Sequence, residues 1–200
     1  MNNHTIGLAI TGASGAAYGL RLLEILIKAG ENVSLLISDP ARIIIDLETG
    51  LELPKHPRDI LSILAQRYGA SSEQLAVFGL DEWTAHVASG SNAPRSFVIC
   101  PCSSATLSAI ATGASRDLLE RAADVMLKEQ RQLILVPREM PLSVVHLENM
   151  LKLARLGVVI MPASPGFYHQ PKTMEDMVDF VVARILDHLG VEYEAAPRWG

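Results

Sequence analysis

Thr5-Ile-Gly-Leu-Ala-Ile-Thr-Gly-Ala-Ser-Gly-Ala-Ala-Tyr-Gly19 is the stretch on which the fold turns. A short apolar run ends in Gly12, Ser14 and Gly15, and a helical pattern follows at once. Strand, glycine turn and helix in direct succession open an α/β protein and present the first turn of a helix to a phosphate. Glycines let the backbone come close, while unpaired N–H groups and the helix dipole supply the attraction. Alone, the motif indicates a phosphate or nucleotide and nothing narrower.

Downstream the alternation repeats. Apolar β-type runs fall at Ile6–Ile10, Val33–Ile37, Phe97–Cys100, Leu133–Val136 and Val158–Met161. They are apolar on both faces, as strands covered by helices on each side must be. Helical patterns separate them at Ala17–Lys28, Ala41–Leu47, Ser104–Thr112, Leu118–Lys128, Leu142–Leu156 and Thr173–Leu189, with Gly30, Gly113, Gly157 and Gly190 where C-cap glycines belong. The stretch from Glu48 to Arg95 holds one further helix, Arg58–Tyr68, a strand at Gln74–Phe78 and a small-residue loop, Ala88-Ser-Gly-Ser-Asn-Ala-Pro94. The expected architecture is a three-layer α/β/α, doubly wound, Rossmann-like parallel sheet in one domain spanning residues 1–200.

Composition narrows the function. Of 200 residues, 49% are apolar and 20% charged, so part of the apolar surface is expected between subunits of a homo-oligomer. A net charge of −5 argues against sequence-independent nucleic-acid binding, which needs basic surface. No apolar run approaches the ~18–20 residues of a membrane span, and the N-terminus shows no signal-type segment. Cys100 and Cys102, the only cysteines, are one residue apart, which suits neither a disulfide nor a structural zinc site. They read as small buried thiols of a cytoplasmic protein with no metal.

In open α/β sheets the ligand sits outside the carboxyl ends of the strands. The loops there are Thr11-Gly-Ala-Ser14, Ser38-Asp-Pro40, Pro101-Cys-Ser-Ser-Ala-Thr106, Pro137-Arg-Glu-Met-Pro141 and Pro162-Ala-Ser-Pro-Gly-Phe-Tyr-His-Gln-Pro171. Hydroxyls, an Arg–Glu pair and a tyrosine suit a phosphorylated, partly aromatic ligand with acid–base groups beside it. Ser14 reads either as a helix N-cap or as a ligand contact, and Ser103, Ser104 and Thr106 share that ambiguity. Arg184, on the stripe Met177–Val181–Arg184–His188, lies against the apolar side of its helix, either snorkelling or directed at an anion. Arg121, Asp124 and Lys128 share one helix face, by default a solvated charge cluster. Glu48 lies near a helix end where its charge gains nothing from that helix's dipole, which points to another task. Arg138-Glu139 between Pro137 and Pro141 is either an ion pair or a rigid functional corner. Trp83 and Trp199 fall outside regular elements and suit a subunit contact or a stacked ring.

Tyr168-His-Gln-Pro-Lys172 spells the Tyr-x-x-x-Lys of short-chain dehydrogenases, but those residues must project from successive turns of a helix. Pro171 removes a donor and disfavours helix at Gln170, so that match is rejected.

Taken together, Thr11-Gly-Ala-Ser-Gly15, Leu47-Glu-Thr49, Ile99-Cys-Pro-Cys-Ser103, Glu120-Arg-Ala-Ala-Asp124, Leu127-Lys-Glu129, Val136-Pro-Arg-Glu139, His146-Leu-Glu-Asn-Met150, Pro165-Gly-Phe-Tyr-His-Gln-Pro171 and Pro197-Arg-Trp199 resemble the UbiX-type flavin prenyltransferases. The match runs over nearly the whole chain, with motifs agreeing in order and spacing. The resemblance implies a metal-independent transferase that moves a dimethylallyl group from dimethylallyl monophosphate to N5 and then C6 of reduced FMN. The prenylated flavin passes to a UbiD-type decarboxylase. It implies FMN contacts from Gly12, Ala13, Ser14, Ser38, Ser103, Ser104, Ala105, Thr106 and Arg138. The isoprenyl phosphate would meet Lys128, Glu139, Tyr168 and Arg184, with Ser89, Gly90, Ser91 and Arg121 contributed across a subunit interface, by resemblance in a dodecamer. Ser14, Glu48, Lys128 and Glu139 would be catalytic.

That chemistry accounts for the residue types. An allylic phosphate departs through a carbocation-like transition state, so cationic donors must take up charge on the phosphate, and a carboxyl group beside it can move a proton. Two other readings use the same fold: an FMN-dependent cysteine-type decarboxylase, and a flavin-binding carrier that would have no need of the Lys128/Glu139/Tyr168/Arg184 set.

Overall fold

Strands and helices alternate along residues 5–192, the part of the chain described by a computed structural model. In chain order they are β1 (Thr5–Ile10), α1 (Ala16–Lys28), β2 (Asn32–Ile37), α2 (Asp39–Thr49), α3 (Pro57–Tyr68), β3 (Leu75–Phe78), β4 (Ser96–Cys102), α4 (Ser104–Thr112), α5 (Leu118–Lys128), β5 (Gln132–Pro137), α6 (Val144–Arg155), β6 (Val159–Ile160) and α7 (Met174–Leu189). Two 3-10 turns, His86–Ala88 and Gly90–Asn92, precede β4. The strands form one parallel sheet in the order β3-β2-β1-β4-β5-β6. The order reverses between β1 and β4, so a crevice opens there at the carboxyl ends.

Both faces of the sheet are covered, which is why the strands are apolar throughout. On one face Ile6, Leu8 and Ile10 of β1 pack with Leu22, Leu23 and Leu26 of α1, Ile45 of α2, Leu64 of α3 and Ile185 of α7. On the other, Ala9, Phe97 and Ile99 pack with Leu107 of α4, Met126 of α5 and Leu153 of α6. Helix α1 lies unusually close to β4: a Cβ on Gly19 would stand 2.3 Å from the carbonyl oxygen of Cys100. Cys100 and Cys102 are free, fully buried thiols, held up to a value of about 12 for Cys102 by burial.

Most boundaries differ from the sequence reading by a residue or two, and three of the elements show why. Helix α2 extends beyond Ala41–Leu47 at both ends, because Ser38 caps it and Pro40 sits in the first turn, where its missing N–H costs nothing. Helix α6 starts at Val144 rather than Leu142: Ser143 accepts from the His146 amide and His146 from the Ser143 amide, a reciprocal cap that fixes the start. Strand β6 is two residues long, as an edge strand that pairs only with β5 can be. Leu47, Met140, Val144, Phe167 and Met174 are each more than two-thirds exposed. Trp83 is half exposed, whereas Trp199 lies outside the described residues. Among the described residues no helix is long and apolar enough to cross a membrane.

Candidate active site

The crevice is stitched by Thr11, at the end of β1. Its hydroxyl donates to the Pro101 carbonyl at 2.8 Å and accepts from the Ser103 amide at 2.8 Å, and its own amide also reaches Pro101 (3.2 Å). Thr11 is buried, and the sequence reading passed over it, although a threonine ending a buried strand before a glycine turn is a usable signal. Two helices begin beside this stitch. Ser38 caps α2 by accepting from the Ala41 amide at 3.2 Å. Ser103 caps α4 by accepting from Thr106 at 3.2 Å, and its hydroxyl also meets that of Thr106 at 2.9 Å. Ser104, Ala105 and Thr106 thus form the first turn of α4, with positive partial charge directed into the crevice.

At α1 the structure corrects the expectation of a phosphate at its first turn. Glu48, reaching back from the last turn of α2, accepts from the Gly15 amide at 2.9 and 3.1 Å and from Ala16 at 2.8 Å. A carboxylate already stands where an external anion was expected. This is the separate task of Glu48: it serves the dipole of a helix other than its own. Gly15 makes the turn with φ of 108°, a left-handed conformation that glycine adopts without strain. Gly15, not Ser14, is the N-cap, and Ser14 is exposed with no capping role for its hydroxyl. Gly12 and Ala13 lie between this turn and Thr11, Gly12 hard against Pro40 of α2. Arg138, after β5, donates through Nε to the Ser14 carbonyl at 3.0 Å and so ties the β5 corner to the glycine turn.

Glu139 does not pair with Arg138 in the arrangement offered by the ion-pair reading. Its Oε2 accepts from the Ser104 hydroxyl at 2.6 Å and its Oε1 from the Met140 amide at 3.2 Å. These hydrogen bonds, Ser104 first, hold its carboxyl below the usual range. Glu139 is therefore an anion and an acceptor at neutral pH. The crevice thus gathers Gly12, Ala13, Ser14, Ser38, Glu48, Ser103, Ser104, Ala105, Thr106, Arg138 and Glu139.

The remaining predicted residues lie elsewhere on the chain. Lys128 ends α5 just before β5 begins, and Glu139 follows the other end of that strand. Six residues of strand separate them by roughly 20 Å. Lys128 pairs with Glu129, and a Cβ on Gly90 would lie 2.8 Å from its Nζ, so Ser89, Gly90 and Ser91 sit beside it. Arg121 pairs with Asp124 at 2.8 Å and donates to the Ala88 carbonyl at 3.3 Å. These charges run along α5 beside the 88–91 turn, each cation paired with a carboxylate, in keeping with the solvated charge cluster read from the sequence. Arg184 is also corrected: it is exposed and pairs with Asp187 at 2.6 Å, because the buried stripe of α7 runs through Val181, Val182, Ile185 and Leu186. Tyr168 sits in a non-helical loop ahead of α7, in keeping with rejection of the dehydrogenase motif.

The flavoprotein family model matches residues 1–186. The flavin prenyltransferase UbiX of Pseudomonas aeruginosa is 57% identical over 195 residues, covering 98% of this chain and 93% of that protein. Two solved structures superpose with a TM-score of 0.87. One, at 40% identity and covering 98% of this chain and 99% of the other, is a dodecameric FMN-dependent UbiX-like decarboxylase from Escherichia coli O157:H7. The other, at 38% identity and covering 98% and 97%, is a UbiX protein in complex with FMN and dimethylallyl pyrophosphate. With the strand order, the hydroxyl-lined crevice and near full-length identity in agreement, the chain belongs to the UbiX flavin prenyltransferases of the flavoprotein family.

Proposed function

We propose that this chain transfers a dimethylallyl group from dimethylallyl monophosphate to N5 and C6 of reduced FMN, for use by a UbiD-type decarboxylase in the same cytoplasmic compartment. The observation that carries the reading is the crevice at the strand reversal. It is lined by the capped starts of α2 and α4, the hydroxyls of Ser103, Ser104 and Thr106, and Arg138, on a chain 57% identical to a flavin prenyltransferase. This donor set fits a flavin phosphate and its ribityl chain. The reduced flavin supplies the nucleophilic ring atoms.

The protein's own groups do the rest. Ser38, Ser103, Ser104, Ala105 and Thr106 bind the flavin phosphate and chain, while Gly12, Ala13, Ser14 and Arg138 bound the ring. Lys128, Arg121, Tyr168, Arg184 and the Ser89–Ser91 turn bind the isoprenyl phosphate and take up its charge as the allylic bond breaks. Glu139, held as a carboxylate by Ser104, accepts a proton there, and an incoming phosphate dianion raises its proton affinity.

Because Lys128 and Glu139 flank opposite ends of β5, one copy cannot apply both to one phosphate. We infer a closed homo-oligomer in which Lys128, Arg121 and Ser89–Ser91 of one copy complete the crevice of another. The exposed Leu47, Met140, Val144 and Met174 support burial between copies.

Anaerobic incubation with reduced FMN and dimethylallyl monophosphate should yield a flavin heavier by one C5 unit. Its absence, with release of CO2 from a cysteine-terminated peptide in a parallel assay with oxidised FMN, would install the decarboxylase reading. For the shared site, mixing inactive Lys128→Ala and Glu139→Gln oligomers after dissociation should restore activity. No recovery on mixing would return both residues to separate roles.

A further inference from the structure

The loop that carries Tyr168 is built around a cluster of rings. Tyr168 meets Phe180 of α7 edge-on, with centroids 5.5 Å apart and planes at 77°. His169 lies flat on the same Phe180, at 5.0 Å and 5°, and meets Tyr168 edge-on at 5.7 Å. The fourth wall is bare backbone: a Cβ on Gly166 would come within 2.9 Å of Tyr168 Cε1 and 3.0 Å of Phe180 Cζ. Next to the cluster, Gln170 holds a left-handed φ of 54° directly before Pro171. A non-glycine residue keeps such a conformation only where its surroundings over-determine it.

His169 spends its ring on this packing. Both imidazole nitrogens are buried without a hydrogen-bond partner, so within this cluster the ring serves as a flat surface, its one polar influence being to help hold the Asp176 carboxyl low, behind that residue's own hydrogen bonds. Phe180, which both rings touch, is four residues before Arg184 on α7 and therefore one turn away on the same face.

We propose that Gly166, His169 and Phe180 are positioning residues for the isoprenyl-phosphate site. They set the Tyr168 ring at a fixed angle against α7, so that its phenol meets the phosphate monoester, while Arg184, one turn beyond Phe180, would exchange its Asp187 partner for the same phosphate. The inference rests on the proposed roles of Tyr168 and Arg184 in binding that phosphate.

The test is steady-state kinetics on the intact oligomer with reduced FMN and dimethylallyl monophosphate, alongside FMN affinity as a measure of native folding. Gly166→Ala and His169→Ala should raise KM for the isoprenyl phosphate about tenfold, with kcat and FMN affinity within about twofold of the parent. His169→Phe keeps the flat ring and removes two unpaired buried nitrogens, so it should restore the parental KM and raise the unfolding midpoint. Parental KM in both alanine variants, with Tyr168→Phe impaired, would overturn the positioning role. His169→Phe as impaired as His169→Ala would also overturn it, since the nitrogens would then be the working part. Parental KM in Tyr168→Phe would instead sink the underlying assignment of Tyr168 to the substrate.

Discussion

Replacing Glu48 tests whether its carboxylate is mainly a brace. Three N–H···O contacts of 2.8–3.1 Å join it to Gly15 and Ala16, across 33 and 32 residues of sequence. An N-terminal cap contributes about 0.5–2 kcal/mol, and a charge at a helix N-terminus about 0.3–1 kcal/mol. The two overlap, and Glu48 is exposed, so Glu48→Ala should cost about 1–2 kcal/mol. For a chain of this size that lowers the unfolding midpoint by roughly 2–8 °C. Glu48→Gln keeps an acceptor but loses the charge, and should fall between alanine and the parent. Glu48→Asp is one methylene shorter and should behave like alanine, because α2 fixes where the side chain begins. Calorimetry on the four proteins at matched concentration measures the ranking. An alanine variant as stable as the parent would refute the brace and leave the carboxylate free for proton transfer.

Gly19→Ala should reverse the usual sign of a helix-interior glycine replacement. The gain of about 0.8–1 kcal/mol in propensity is outweighed by about 1–3 kcal/mol of overpacking against the Cys100 carbonyl, so the urea midpoint should fall, and a rise would contradict the close approach. Arg138→Ala should weaken FMN binding by about 1.5–3 kcal/mol, the loss of a charged hydrogen bond; unchanged affinity by titration calorimetry would remove it from the flavin site. The depressed Glu139 pKa means that the carboxylate's contribution is present above the ordinary glutamate range and lost as pH falls through its lowered value. Ser104→Ala should shift that titration up toward the ordinary glutamate range, followed by carboxyl-carbon NMR, and an unmoved titration would deny Ser104 its role.

Elements with a local physical cause were legible before any coordinates. Apolar runs located all six strands, and Ser103, read as either a cap or a ligand contact, marked the start of α4 through the short-range hydrogen bond it makes. What escaped was tertiary. No pattern within α2 announces that Glu48 reaches the start of α1, since the partner lies 32 residues away. Helical phase put Arg184 beside Val181, but phase within one helix cannot say which neighbouring stripe packs, and Val182 and Ile185 turn Arg184 outward. The separation of Lys128 from Glu139 follows from chain direction in a parallel sheet, and could have been drawn once both were placed at opposite ends of β5.

The Thr11 hydroxyl bears on what ring systems this crevice admits. Backbone pairing between β1 and β4 runs only to Ala9 and Ile99, and beyond it Thr11 is the last rung joining the two diverging strands. Any guest that forced them apart would strand the Pro101 carbonyl and the Ser103 amide in a dry place, at about 1–3 kcal/mol for each group. Resistance to spreading at the floor of the crevice is then a property of the sheet, carried by a single buried oxygen.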